Sequence, residues 1–401
     1  MEQAPSSDPR RFPCAQCGAA LDFAPGTMVL RCPYCQHEQA VARSEAVIEE
    51  RDYVAALVEL GNSAPKQEQR TTQCRGCAAE IVFGPTTTAT HCPWCGDDLV
   101  LEVKTVPLLQ VQGLLPFQLK PQNAAQNIQN WLATRWFAPS GLKDVVTQKL
   151  QGCYLPFFTY DAQTVSAYVG ERGDDHTRIE HYTRTVNGKS QSATRTVTYT
   201  VWSPASGVVN DSFDDILIPA STSLPVSLQN SLDPWPLSKL ESYSQDWLAG
   251  FSAEAPSVSL RTGFDTAHTQ YMDPAIRSHV TRAIGGNHQR IHSISTTYND
   301  ITFKHILLPV WVSSYRWQGK PFRILVNAQT GEVQGQRPYS AWKIAFLVLA
   351  ILALIAVIVL IVHSFRTPSF VQVEAASCVP NPFDTDALRN VDLFAVLGNG
   401  V

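Results

Sequence analysis

Residues 14–35 read CAQCGAALDFAPGTMVLRCPYC, and residues 74–95 read CRGCAAEIVFGPTTTATHCPWC. The first run holds Cys14, Cys17, Cys32 and Cys35; the second holds Cys74, Cys77, Cys92 and Cys95, each at an offset of 60. Phe23 and Pro25 recur as Phe83 and Pro85, and Cys-Pro-Tyr-Cys recurs as Cys-Pro-Trp-Cys. Two residues between cysteines let one tight turn present both sulfurs, and two such turns complete the four-thiolate shell that Zn²⁺ prefers. A module of some forty residues is too small to build a sufficient apolar core, so the metal takes the place of one. The spacing therefore predicts two zinc ribbons, over residues 1–40 and 70–100, each holding one structural ion. Closed shells leave no open coordination position for catalysis.

Three other readings of these cysteines are weaker. A dithiol redox motif of the CPYC type needs a thioredoxin-like domain around it, whereas here a second C-x2-C lies just upstream. Disulfides suit a secreted chain, but Met1 to Pro13 is polar and lacks an apolar segment of the signal-peptide kind. His37 or His91 as a replacement ligand is unneeded, because four cysteines already close each shell.

Ile344 to Val362 is an unbroken apolar run, IAFLVLAILALIAVIVLIV. At 1.5 Å per residue it spans roughly 28 Å, the thickness of a bilayer's hydrocarbon. It is apolar on every face, and Tyr339 and Trp342 suit an interfacial belt. We expect a transmembrane helix over 342–363. Arg323, Arg337 and Lys343 precede it; Arg366 follows, with Glu374, Asp384, Asp386 and Asp392 in the tail. The positive-inside rule places the long N-terminal part in the cytosol and residues 364–401 outside, and reduced thiolates require the same compartment. The expected location is the cytoplasmic membrane, crossed once.

The net charge is −4, with 16% charged residues. The ribbons carry no excess of Lys and Arg of the kind that displaces counterions from a phosphate backbone. Charge thus argues against a nucleic-acid surface. Between the ribbons, 41–69 reads as a helical spacer, with a helix from Ser44 to Leu60, capped by Ser44 and ended at Gly61-Asn62. Residues 101–338 are dominated by strand signals such as CYLPFFTYDAQTVSAYVG, RTVTYTVWSP and HILLPVWVSSYRW, with helices expected over Gln122–Phe137 and Leu237–Leu248. This is an α+β domain with a largely antiparallel sheet, read as one body or as two related subdomains. The subdomain reading rests on an echo, Tyr154-Leu155-Pro156-Phe157-Phe158 against Leu307-Leu308-Pro309-Val310-Trp311. Those prolines are expected where strands start or at an edge.

Motifs for catalysis are missing. Gly188-Lys189-Ser190 lacks the first glycine of a phosphate loop, and HExxH, GxSxG and GxGxxG do not occur. His176 and His181 do not share a helical face. Asp174-Asp175 and Asp214-Asp215 read as surface turns rather than metal carboxylates, Cys153 as a buried thiol, and Cys378 as a lone cysteine beyond the span.

The tandem ribbons, the YLPFFTYDA segment and the stretch LLPVWVSSYRWQGKPFRILVNAQTGEVQGQRPYSAWKI running into the span together resemble a bacterial family. These are the zinc-ribbon membrane proteins labelled "primosomal protein N′ / superfamily II helicase-like". The helicase part of that label conflicts with the absent Walker A sequence. The resemblance implies association with SPFH (flotillin-like) and phage-shock-type membrane proteins. Two functions follow as expectations: a non-catalytic, membrane-anchored scaffold whose ribbons and sheet domain dock cytosolic or membrane proteins, or a membrane-tethered nucleic-acid binder without ATPase activity.

Overall fold

The computed structural model describes residues 13–41, 48–63, 66–75, 79–83, 92–94, 97, 99, 102–107, 109–139, 141–142, 150–186, 188–318 and 320–366. Residues up to Ser340 form one compact unit, and a second unit begins at Ala341. The first is α+β, and its sheet is mainly antiparallel.

Three short strands come first: β1 (Asp22–Phe23), β2 (Val29–Arg31) and β3 (Glu38–Ala40), paired antiparallel in that order. β4 (Arg51–Asp52) leads into α1 (Tyr53–Ser63). The helix starts at Tyr53, and 48–52 are not helical; the expected cap Ser44 lies outside the described residues. The cap is Asp52, whose carboxylate accepts the Ala55 N–H at 2.7 Å. The helix also runs through Gly61-Asn62 to Ser63.

The large sheet then takes β5 (Lys66–Gln73), β6 (Glu80–Phe83), β7 (Glu102–Pro107) and β8 (Gly113–Leu114). α2 (Pro121–Ala133) buries Ala124, Ile128 and Leu132 and ends short of the expected Phe137; Trp136 lies past its end and is exposed. β9 (Leu150–Val186) and β10 (Lys189–Pro219) form a long hairpin, followed by the short α3 (Val226–Asn230). Over 237–248 the expected helix is absent: two 3-10 turns flank β11 (Glu241–Ser242), because Trp247 and Leu248 turn inward at a single 3-10 turn capped by Ser244. β12 (Ser252–Glu254), α4 (Leu260–Ala267), a π-helical turn (His268–Met272) and α5 (Asp273–Ile284) lead to β13 (His288–Trp317), β14 (Lys320–Asn327) and β15 (Val333–Gly335).

The sequence echo occupies equivalent places in this sheet. β9 and β13 pair antiparallel with Leu155 opposite Leu308, Pro156 opposite Leu307 and Tyr154 opposite Pro309. β12 runs parallel to β9 at Cys153 and Tyr154, as β8 runs parallel to β13 at Ile306 and Leu307. Ala220 N–H donates to the Pro156 carbonyl at 3.0 Å, and Ala328 N–H to that of Pro309, also at 3.0 Å. The element order β8–α2–β9–β10 recurs as β12–α4–α5–β13–β14, and the two sets interlock. The prolines thus sit inside central strands, contrary to expectation. Each falls where one neighbour hands over to the next: β12 stops at Tyr154 and β10 reaches only to Phe157, while β8 stops at Leu307 and β14 begins at Val310. A missing N–H costs little at such a gap.

α6 (Ala341–Arg366) is the second unit, apolar from Ile344 to Val362 and long enough to cross a membrane. The tail beyond Arg366, Cys378 included, lies outside the described residues.

Candidate metal centre

The backbone turn after each cysteine pair explains why these spacings gather sulfur. Cys14 N–H donates to Ala19 O at 2.7 Å and Cys32 N–H to His37 O at 2.9 Å. The residue following each pair, Gly18 (φ 71°) and Gln36 (φ 60°), adopts the left-handed conformation that closes the turn. The four Sγ atoms of Cys14, Cys17, Cys32 and Cys35 lie within 4.8 Å of one another. Cys14–Cys35 and Cys17–Cys32 sulfurs are 3.4 and 3.5 Å apart. Sulfurs bound at 2.3 Å to one tetrahedral ion sit roughly 3.8 Å apart, so the cluster fits a metal ion with little adjustment. Cys14 and Cys32 are buried, while Cys17 and Cys35 face solvent.

Electrostatics agree with a cation-seeking group. The Cys35 backbone N–H, opposed by burial and joined by that of Tyr34, pulls the Cys32 thiol down to about 6. At Cys35 the His37 N–H favours the thiolate, but burial and three neighbouring sulfurs push the thiol up to about 12. Four thiolates repel one another unless a cation sits among them. The His37 side chain is not part of the cluster.

The second cysteine set repeats the same turns. Cys74 N–H donates to Ala79 O at 2.9 Å and Cys92 N–H to Asp97 O at 2.7 Å, each 60 residues on from its counterpart. Pairing repeats as well: Pro13 bridges Ala20 as Gln73 pairs Glu80. Cys74 and Cys92 are buried. Cys77, Cys95 and His91 lie outside the described residues.

Both cysteine sets are built into the body rather than standing apart. Phe23 is 3% exposed and meets Trp247 edge-on at 5.3 Å, while its N–H donates to Ala249 O at 3.0 Å. Gly26 N–H donates to Phe117 O at 2.9 Å, at a φ of 76° that only glycine adopts freely. In the second set, β6 pairs β12 on one side and β5 on the other, with Phe83 opposite Ser252. The segment 249–254 is therefore contacted by both.

The remaining candidates fall elsewhere. Gly188, at φ 76°, lies in the turn of the β9–β10 hairpin, and Lys189 and Ser190 begin β10 opposite Val186 and Thr185. His176 and His181 project from opposite faces of β9 in that hairpin, with His176 beside Tyr199. Asp174-Asp175 lies within a strand, not a turn: Asp174 pairs with Arg172, and Asp175 accepts from Thr200 at 2.7 Å. Cys153 is fully buried, and burial pushes its thiol up.

Asp214-Asp215 sits on a β-bulge of β10, and the sequence reading missed its neighbours. Oxygens of Glu50, Asp161 and Asp214 lie within 4.8 Å of one another. Lys304, 8% exposed, reaches Glu50 and Asp215 at 2.9 Å each, so an ammonium already serves this acidic group. Burial raises Asp161 to about 6. No sequence signal ties Glu50, Asp161 and Lys304 together, because opposite bulges in β10 and β13 create the meeting.

No protein-family model matches the chain, and no solved structure does. Over 236 residues it is 26% identical to an uncharacterized protein, YdjG, of Bacillus subtilis (strain 168). The match takes in 58% of this chain and 65% of that protein, so under two thirds of the relative's length is covered.

Proposed function

We propose that the chain is a non-catalytic scaffold, anchored in the cytoplasmic membrane by α6, whose body is braced by two Zn²⁺ ions. Cys14, Cys17, Cys32 and Cys35 hold one ion; Cys74, Cys77, Cys92 and Cys95 hold the other. Bound zinc supplies the cross-link that a small ribbon needs, and thiolates are the ligands it favours. The observation that carries this reading is the closed four-sulfur cluster, every corner protein-filled, in a chain that also has a helix fit to cross a bilayer. Association with the membrane raises the local concentration of any partner confined there.

Packing changes where docking takes place. The inner faces of both cysteine sets are spent on the body, through Phe23 and Leu30 in one and Ile81 and Trp94 in the other. The surface offered to partners is therefore the exposed sheet and hairpin. Expression with a C-terminal tag, fractionation and mild solubilisation provide the test. The chain should sediment with membranes, and the same protein should co-purify in fixed ratio with wild type but not with a Cys32→Ser/Cys92→Ser variant. Recovery of the intact chain in the soluble fraction would refute the anchor, and unchanged co-purification by the double variant would refute the bracing role.

A further inference from the structure

The β9–β10 hairpin outruns the rest of the sheet. The last pairing of β13 with β9 is His288 opposite Gly173, yet β9 continues to Val186 and β10 returns from Lys189. Beyond Gly173 the arm, among the described residues, pairs as two strands only, about 45 Å long at roughly 3.4 Å per residue. Both its faces are exposed, with Ile179, Tyr182, Tyr199 and Val201 open to solvent. A two-stranded ribbon without a packed face is marginal in water, so this length calls for a further strand.

The outer edge of β10 is built to accept one. Among the described residues β10 pairs only with β9, and its register is unbroken from Lys189 to Phe213. From Lys189 to Ser203 it contains no proline and no bulge, the usual devices that blunt an edge. Its Thr194–Trp202 stretch, TRTVTYTVW, is β-branched or aromatic at every position but one. Charge is segregated: Glu180 already pairs with Arg178 at 2.7 Å and with Arg195 at 2.9 Å, while Ser192, Thr194, Thr196, Thr198 and Thr200 line the other face.

We propose that two copies of this chain join by antiparallel pairing of their β10 edges about a two-fold axis at Thr196. In that register Thr194 meets Thr198, Ser192 meets Thr200, Ala193 meets Tyr199, Arg195 meets Val197 and Lys189 meets Ser203. Hydroxyls face hydroxyls and no two like charges are opposed, which is the pattern favourable cross-strand pairs require. The product is a four-stranded sheet with β9 strands outermost. The partner is a second copy because the edge is complementary to itself.

The test measures the mass of the full chain in detergent micelles by light scattering, corrected for bound detergent. A companion variant removes 176–199 and joins Asp175 to Thr200, which already face each other, through Asn-Gly. α6 is present in both, so helix pairing contributes equally. Wild type should weigh as a dimer and the shortened chain as a monomer. A monomeric wild type, or a shortened chain that remains dimeric, overturns the proposal. A short bismaleimide should also link Thr196→Cys to its own copy well above the wild-type background, whereas Gln191→Cys, facing Val201, should stay at background. Equal linking of the two, or none, overturns the register.

Discussion

The two cysteine repeats share spacing, turn bonds and a Cys-Pro-aromatic-Cys end, yet the body treats them differently. The first keeps its own three-stranded sheet and touches the body through Phe23 and the backbone at Gly26. The second has given up its independence: β6 is an interior strand between β12 and β5. The aromatic residue of the last turn shows the contrast at one position, since Tyr34 is 81% exposed and Trp94 is 0% exposed. On the zinc reading proposed above, one ion would brace an attached module and the other would brace the sheet itself.

The largest effect should separate the two sites. Cys92→Ser should abolish cooperative unfolding of the body, because the metal's contribution, roughly 10–16 kcal/mol in isolated zinc modules, supports strands that β12 and β9 lean on. Cys32→Ser should leave a folded sheet, with hydrogen exchange rising in 14–40 and little change at 153–160. Equal collapse in both variants would erase the distinction.

Phe23→Ala comes next. It should cost about 3–5 kcal/mol of stability in denaturant titration, since a buried ring against Trp247 and Phe251 leaves a cavity. A loss under about 1 kcal/mol would mean that the first repeat is held by its hairpin alone.

A pH experiment probes the sheet that both repeats lean on. His305 is buried beside Phe158, and burial lowers its pKa from 6.5 to about 4. The unfolded chain binds this proton first, so stability is full above about pH 6.5 and falls as pH drops toward 4, by on the order of 3 kcal/mol. Asp161, raised to about 6, contributes with the opposite sign over the same range. The difference between wild type and His305→Gln isolates the histidine: the variant should lose less stability from pH 7 to 4.5. Parallel curves would place His305 in water.

Gly26→Ala should give the smallest effect, about 1–3 kcal/mol. Its φ is 76° and an added Cβ would lie 2.9 Å from Gln118 O, so the variant should loosen the attachment without disturbing the four sulfurs. An unchanged melting temperature would show that this contact is dispensable.

Much of the four-sulfur cluster was legible because its cysteines are local: C-x2-C fixes a turn, and the offset of 60 exposes the repeat. α6 was legible for a similar reason, as one long run of a single character. The α+β class followed from period-two strands such as TVTYTVW. What the sequence concealed is non-local. Nothing near Pro156 announces that β12 ends and β10 begins beside it, and hydrophobic positions in β6 do not reveal that their neighbour is β12. The 237–248 helix failed because leucine and tryptophan spacing fits a helix and a chain of inward 3-10 turns equally well. Asp161 and Lys304 meet only through paired bulges, which leave no periodic trace.

The central claim is that two four-thiolate zinc sites hold this body together. Quantifying metal in the natively purified full chain by mass spectrometry, before and after stepwise chelation, tests it directly. The account predicts two zinc ions per chain and loss of cooperative folding when the second is withdrawn. A natively purified chain that carries fewer than two zinc ions, that stays cooperatively folded with none, or that holds iron in their place would contradict it.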